Sequence, residues 1–218
     1  MWSRKYVLLG FLHFVDICKS EELKKEIISA MCRHLDYIIS KIGADKLSIT
    51  KTSDIWQGIN SSSILEPVVR MYNLTDKKEY LDFAAYIVEN GGADECNIFE
   101  LAYEDKIAPY QYPVIKAYEL MSCFEGLLEY YRVTGIEKWR MACENFAKKI
   151  ISTEITIIGC AGCEHEVFNN SSLMQTYTKY DGLMLETCVT VTWMKLCFQL
   201  LCLTGESVYA DCIEQSAY

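Results

Sequence analysis

The segment RVTGIEKWRMACENF at residues 132–146 decides the fold, because it reads as the end of one helix joined by a tight turn to the start of the next. The same pattern returns at residues 73–87, NLTDKKEYLDFAAYI, and at residues 202–216, CLTGESVYADCIEQS. In all three copies a threonine precedes a large aromatic residue by five positions. Self-similarity of this kind is typical of stacked helical hairpins.

The residue after each threonine supports the turn. Gly135 and Gly205 suit the left-handed backbone that often follows a helix, and Asp76 tolerates it. Cys18 precedes Leu23 by five positions near the start of the chain, which adds a weaker fourth copy. We therefore predict an all-α fold with four helical hairpins.

Composition agrees with a single helical domain over residues 1–218. The chain is 51% hydrophobic and has three prolines, so it can bury a core and form long uninterrupted helices. Apolar residues recur at three- and four-residue steps over 6–17 and 23–42, as in amphipathic helices. The first segment is predicted as a helix and not as a signal peptide, because His13 and Asp16 interrupt its apolar run.

Charge and cysteine content bound the partners and the compartment. A net charge of −9 argues against nucleic acid, whose binding requires clustered lysine and arginine. Eleven cysteines, an odd count, favour free thiols in a reducing compartment, so we expect a cytoplasmic protein. No apolar run is interpreted as a membrane span, and no membrane partner is expected.

The interval between the last two threonine turns is longer than the earlier intervals, and the excess falls in residues 159–190. Long connections in compact domains are uncommon and are often functional. This one holds four residues able to bind a metal: Cys160, Cys163, Glu186 and Cys188. The first two have the spacing of a thiolate pair for zinc, and the last two can share an ion where the backbone is extended. A buried core cysteine and a carboxylate at a helix N-terminus are the competing interpretations.

Glu166 is the candidate proton donor in this connection. Val167 and Phe168 follow it, and an apolar wall would raise the pKa of its carboxyl toward the range of a general acid. His165 is a second candidate as ligand or base, although a lone histidine is more often a hydrogen-bonded bystander. A second catalytic carboxylate cannot be selected from the residues alone.

Two further segments hold candidate sugar contacts. In the polar loop 51–63, Trp56 can stack on a sugar and Asn60 can hydrogen-bond to it, while a solvated loop is the default interpretation. Ser63 and Glu66 predict a capping box at the next helix. A strong helix over 114–131 follows, with four polar residues interpreted first as surface groups: Lys116, Tyr118, Glu119 and Glu125.

Three segments, GLLEYYRVTG, GCEHEVFNNS and ETCVTVTWMKLCFQLLCLTGESVYADCIEQSAY, resemble glycoside hydrolase family 127, the β-L-arabinofuranosidase-like family. The resemblance runs from Trp2 to the last residue, and Glu186-Thr187-Cys188 is its most specific element. It implies an (α/α)6 barrel of helical hairpins, here incomplete at about four, and hydrolysis of terminal L-arabinofuranosyl or related sugars of plant glycans.

The same resemblance implies roles for individual residues. Glu166 corresponds to the acid/base, and Glu186 and Cys188 correspond to zinc ligands. The family completes its site with two adjacent cysteines, one of them the nucleophile, and no such pair occurs in residues 1–218. We therefore expect half a site with impaired activity, and Cys160 and Cys163 as extra ligands. The expected substrate-binding residues are Trp56, Asn60, Ser63, Tyr118 and Glu119.

Two alternatives remain open at this point. The chain is either a non-catalytic helical-repeat module that binds sugar or pairs with a complementing chain, or a zinc-binding protein that uses Cys160, Cys163, Glu186 and Cys188. An open barrel would expose apolar helix faces, which favours a homo-oligomer or a complementing partner.

Overall fold

A computed structural model describes residues 1–162, 165–177 and 186–218, and in these residues the chain forms helices and no strand. The α-helices are α1 (Trp2–Ile17), α2 (Glu21–Lys41), α3 (Ile59–Ser62), α4 (Leu65–Thr75), α5 (Lys78–Glu89), α6 (Ile98–Glu104), α7 (Ala117–Thr134), α8 (Glu137–Thr153), α9 (Ser171–Met174), α10 (Thr187–Thr204) and α11 (Ser207–Ala217).

Four antiparallel hairpins make up the architecture: α1 with α2, α4 with α5, α7 with α8, and α10 with α11. The first helices of the hairpins pack side by side in the order α1, α4, α7, α10 and form an inner row. The second helix of each hairpin covers its partner from outside. This is the predicted all-α arrangement of about four hairpins, and the prediction is confirmed.

The threonine turns join inner to outer helices as the sequence predicted. Thr134 Oγ1 donates to the carbonyl of Tyr130 at 2.9 Å and accepts from the amide of Ile136 at 3.4 Å. The turns after Thr75 and Thr204 repeat this pair of hydrogen bonds. Asp76, Gly135 and Gly205 all have a left-handed backbone, whereas Lys19, the corresponding residue after Cys18 in the first hairpin, has no positive φ. The fourth copy therefore shares the spacing but not the turn.

The aromatic residue five positions after each threonine packs into the interior at the start of the outer helix. Tyr80 and Tyr209 are fully buried. Trp139 is partly buried and packs edge-on against Phe99, with ring centroids 6.5 Å apart. Each residue is the third of its outer helix, so every one of these three hairpins packs a large aromatic side chain at the same position.

Charged side chains of the inner row are buried, contrary to the expectation of a surface role on α7. Glu125 is 1% exposed, and Lys195 Nζ lies 2.8 Å from it and 2.6 Å from Glu66. Lys5 is also buried, and the opposite charges of Glu125 and Glu66 act on it. One charged residue from each inner helix thus joins a common cluster, which sequence periodicity alone could not reveal.

The structure also corrects the predicted start of α4. The Ser63 hydroxyl donates to the carbonyl of Asn60 at 2.7 Å, Ile64 is the N-cap, and no side chain caps the helix. The capping box is therefore not formed, because Glu66 turns toward Lys195 instead. In addition, the long connection 91–111 contains α6, which packs on α8.

By length and composition, one helix in the described part of the chain, Thr187–Thr204, would be able to cross a membrane. The apolar runs of the sequence had predicted no membrane-spanning helix. This helix, α10, packs between α7 and α11, and Trp193, Leu196 and Leu200 are fully buried there. In this structure its apolar side chains form part of the core.

Candidate active site and metal centre

The N-terminal ends of α1, α7 and α10 meet at a cleft of about 370 Å³. The threonine turns lie at the opposite end of the inner row, so the cleft is built by first turns and by the long connections that lead into them. Among the residues that the structure describes, six line it: Trp2, Tyr6, Tyr118, Glu119, Glu166 and Cys188. Four of these were candidates from the sequence, whereas Trp2 and Tyr6 were not.

The backbone around Glu166 is held against the start of α7. The amide of Ala117 donates to the carbonyl of Glu166 at 2.7 Å, and the amide of Phe168 donates to the carbonyl of Ile115 at 2.9 Å. Phe168 is fully buried, edge-on to Phe146. Glu166 itself has a φ of +57°, which a residue other than glycine adopts at a cost of about 1 kcal/mol or more. The short bridge thus places the carboxylate in the cleft at the expense of local strain.

Glu154 anchors the far side of the same connection. Its buried carboxylate accepts hydrogen bonds from the amides of Asn169, Asn170 and Ser171 at 3.2, 3.0 and 3.2 Å, and from the Ser171 hydroxyl at 2.9 Å. Burial raises the pKa of Glu154, and the four hydrogen bonds oppose that rise. Nothing in the sequence marked Glu154, because its partners lie more than ten positions further along the chain.

Two groups share the carboxylate of Glu166. The Cys188 thiol donates to Oε1 at 2.8 Å, and the Lys116 ammonium forms an ion pair with Oε2. Burial acts to raise the pKa of Glu166, but these hydrogen bonds and the lysine charge outweigh it, so the pKa is lowered. The expectation that an apolar wall would raise this pKa is therefore wrong for this arrangement. Glu166 is ionised at neutral pH.

Glu166, Glu186 and Cys188 form a cluster whose ligand atoms all lie within 4.8 Å of one another. Glu186 is the N-cap of α10 and has an extended backbone, which lets its carboxylate face the thiol two residues on, at 3.6 Å. Burial and the two carboxylates raise the pKa of Cys188 to about 12. A bound cation acts in the opposite sense, and a thiolate with carboxylates is a donor set that suits zinc. The residues therefore fit a metal with an open position toward the cleft.

Of the two other candidate ligands, the one that the structure describes, Cys160, does not add to this cluster. Cys160 lies in the turn that follows α8, where its amide and carbonyl bond to Thr156, and it is not among the clustered ligand atoms. Cys163 lies outside the described residues. His165 contributes its backbone carbonyl, 3.5 Å from Lys116 Nζ.

Trp56 stands beside the cluster without lining the cleft. Lys116 Nζ lies 5.5 Å from the centroid of its ring, so one lysine joins Trp56 to Glu166. Trp56 and Gln57 both have a left-handed backbone, and the Gln57 side chain holds the loop by donating to Glu95 and to the carbonyl of Pro113. This strained, clamped loop presents an indole that is 42% exposed.

Asn60 and Ser63 lie under that loop, away from the cleft lining. Ser63 is fully buried, and its hydroxyl is already bonded to Asn60. The side-chain oxygen of Asn60 is buried without a partner. The structure thus gives both residues a place in the packing of α3.

Glu119 and Tyr118 face the cleft from the first turn of α7. Tyr118 shares a hydrogen bond of 2.5 Å with the hydroxyl of Tyr6. Burial raises the pKa of Glu119 to about 7, and its Oε2 has no hydrogen-bond partner. The cleft therefore combines one carboxyl whose pKa is lowered, that of Glu166, with another whose pKa is raised, that of Glu119.

Comparison with solved structures defines the fold first, that of an incomplete helical barrel. A GH127 beta-arabinofuranosidase has a TM-score of 0.68 at 18% identity, over 97% of this chain and 32% of that one. A GH127 beta-L-arabinofuranosidase from Geobacillus stearothermophilus T6 has a TM-score of 0.67 at 16% identity, over 99% and 35%. A further glycoside hydrolase has a TM-score of 0.62 at 16% identity, over 88% and 33%. The chain spans about a third of the length of these structures.

The family follows from the sequence. The family model described as beta-L-arabinofuranosidase, GH127 catalytic domain, matches residues 21–218. The chain belongs to this family, and the resemblance noted from its motifs is confirmed. No curated protein matches it in sequence.

Proposed function

We propose that this chain carries part of the active site of a glycosidase that removes terminal L-arabinofuranosyl or related sugars from plant glycans. The observation that supports this most is the convergence of Glu166, Glu186 and Cys188 at the wall of a cleft. Membership of the GH127 catalytic domain family supports the reaction class, and a cleft of about 370 Å³ is at the small end of ligand sites, as a monosaccharide unit requires.

In this proposal Glu186 and Cys188 hold zinc, and Glu166 moves the proton. When bound, zinc supplies a Lewis acid that stabilises a thiolate near neutral pH. The Glu166 carboxylate is ionised and 2.8 Å from the Cys188 sulfur, so it is placed to accept the proton that the thiol loses. Glu166 also lines the cleft, where its protonated carboxyl would donate to the oxygen of a leaving group. Lys116 keeps this carboxylate in place through Oε2.

In this proposal the substrate contacts come from residues of the cleft and from Trp56, with Lys116 between them. Tyr118 and Glu119 line the cleft, and Trp56 offers an exposed ring across the lysine. We propose these three as the sugar-binding set, while Asn60 and Ser63 support the loop from below.

Metal analysis combined with an aryl glycoside tests the proposal. We expect purified protein to bind about one equivalent of zinc and to lose it in Glu186→Gln and Cys188→Ser. The matched control is Cys160→Ser, which removes a thiol of the same connection outside the cluster and should leave the zinc content unchanged. Release of 4-nitrophenol from an aryl β-L-arabinofuranoside should be weak and should fall further in Glu166→Gln. Protein that takes up no zinc at micromolar concentration would refute the metal assignment.

A second candidate function is a module that pairs with a complementing helical chain or with its own copy. The observation in favour is an apolar stripe along the outer face of α1, where Val7, Phe11 and Phe14 are 41 to 48% exposed and Ile17 is 75% exposed. Sedimentation velocity distinguishes the two: a monomer at all concentrations tested would contradict the pairing. Cytoplasmic localisation stays a prediction from cysteine content.

A further inference from the structure

Helix α1 contributes an aromatic wall to the cleft. Trp2 and Tyr6 are one helical turn apart, with ring centroids 5.1 Å apart and planes at 79°. Trp2 also meets Tyr118 of α7 edge-on, with centroids 5.4 Å apart. The family match begins at residue 21, so this wall lies outside the segment that identifies the family.

The rings of Trp2 and Tyr6 are held in place by neighbouring side chains. The buried ammonium of Lys5 lies 5.0 Å from the Trp2 ring and 5.2 Å from the Tyr6 ring, a cation–π distance for both. The Tyr6 hydroxyl is bonded to that of Tyr118. Rings fixed in this way lose little conformational freedom when a ligand arrives, which favours binding.

A carboxylate oxygen without a partner lies in the same cleft. Glu119 is 9% exposed and lines the cleft beside the aromatic wall, and its Oε2 makes no hydrogen bond with any residue that the structure describes. Leaving a buried acceptor unpaired is costly, and a donor supplied by a ligand removes that cost. A sugar hydroxyl is such a donor.

We propose that Trp2, Tyr6 and Glu119 form a sugar-binding subsite in which α1 supplies the stacking surface and Glu119 Oε2 accepts a hydroxyl hydrogen bond. The ligand class is an uncharged, pentose-sized sugar, because it needs one apolar C–H face and at least one free hydroxyl. This inference rests on the proposed function for the identity of the sugar. It adds α1 to the site and gives Glu119 the role of a specificity determinant.

Calorimetric titration with methyl β-L-arabinofuranoside and its mono-deoxy analogues tests the subsite. This probe requires no hydrolysis, so binding is measured separately from activity. We expect Glu119→Gln to weaken affinity by about tenfold to a hundredfold, since it replaces one of the two carboxyl oxygens with an NH₂ group that cannot accept a hydrogen bond. Trp2→Ala should weaken it by roughly tenfold. One deoxy analogue should bind wild type more weakly than the parent sugar and lose nothing further in Glu119→Gln.

The matched control is Trp139→Ala. Trp139 is also stacked beneath a lysine, with Lys138 Nζ 4.8 Å from its ring, but it lies on the outer helix α8. This variant should lower the melting temperature and leave sugar affinity unchanged. Glu119→Gln should instead weaken sugar affinity without lowering the melting temperature, because it removes a buried ionisable group and no hydrogen bond of Oε2.

The outcomes separate this inference from the proposed function. Binding that depends on Trp2 and Glu119 in a protein without hydrolytic activity supports the subsite and counts against the glycosidase. Hydrolysis that is unaffected by both substitutions supports the glycosidase and overturns the subsite. Wild-type protein that binds none of these sugars at millimolar concentration also overturns the subsite.

Discussion

Replacing Glu154 by glutamine should loosen the connection that carries Glu166, although residue 154 lies outside the cleft. The carboxylate serves donors on both oxygens: Oε1 accepts from the amide of Asn170, and Oε2 accepts from the amides of Asn169 and Ser171 and from the Ser171 hydroxyl. Glutamine keeps only one acceptor oxygen, and its NH₂ group takes the place of the other. At least the Asn170 amide would then face a donor and lose its acceptor.

The magnitude follows from this count. One buried donor left unpaired costs about 1–3 kcal/mol. Because the ionised carboxylate is itself disfavoured by burial, part of that loss is recovered, and we expect a net destabilisation of about 1–2 kcal/mol. For a domain of this size that corresponds to a melting temperature lower by roughly 2–8 °C.

Differential scanning calorimetry and amide hydrogen exchange together measure the effect. Exchange should accelerate first at the amides of residues 169–171, which the carboxylate protects. The matched control is Asp82→Asn, where an exposed carboxylate accepts two hydrogen bonds of 2.8 Å from Lys78, and where we expect a change within about 0.5 kcal/mol. If Glu154→Gln matches this control in both measurements, Glu154 does not anchor the connection.

Three further predictions concern the inner helices. In Gly126→Ala the new methyl group would lie 2.7 Å from the backbone nitrogen of Glu66. Although alanine has the better helix propensity, we expect the free energy of unfolding in urea to fall by about 1–2 kcal/mol. Unchanged stability would show that α4 and α7 can separate freely. Lys195→Met leaves two nearly fully buried carboxylates without their ammonium and should lower the free energy of unfolding by about 3 kcal/mol. The double variant that also carries Glu125→Gln should recover part of this loss. A double variant less stable than the single one would contradict the pairing. The pKa of Glu119 is raised to about 7, so its contribution to stability is complete below the pKa that it has in the unfolded chain and is lost as pH rises through 7. The melting temperature should therefore fall between pH 5 and pH 8, and it should fall less in Glu119→Gln. The upper limit of the effect on the free energy of unfolding is about 3 kcal/mol.

The helical scaffold could be predicted from the sequence because the repeat unit is local. A threonine, a residue that tolerates a left-handed backbone and an aromatic residue all lie within six positions, and the hydrogen bonds of the threonine join its immediate neighbours. The Thr134 turn could therefore be predicted in detail. The pair Glu186 and Cys188 was found for the same reason, since an N-cap position brings residues two apart onto one side.

Other features depend on contacts that periodicity does not encode. Glu125 looks like a surface residue on a helical wheel, and only the packing of four inner helices buries it beside Lys195. Trp2 and Glu119 reach one cleft because α1 and α7 have parallel ends, a consequence of hairpin stacking order. The lowered pKa of Glu166 likewise reflects Lys116, fifty positions earlier in the chain.

The threonine turns and the long connections occupy opposite ends of the inner row, which separates two kinds of evolutionary change. A substitution or insertion in a connection alters the cleft while every turn keeps its own hydrogen bonds and its own aromatic anchor. A duplicated or deleted hairpin leaves the internal turns of the others unchanged. Such a scaffold can diverge in specificity at one end and in hairpin number along its row, so members of one lineage can differ greatly in length and ligand while their turns remain recognisable.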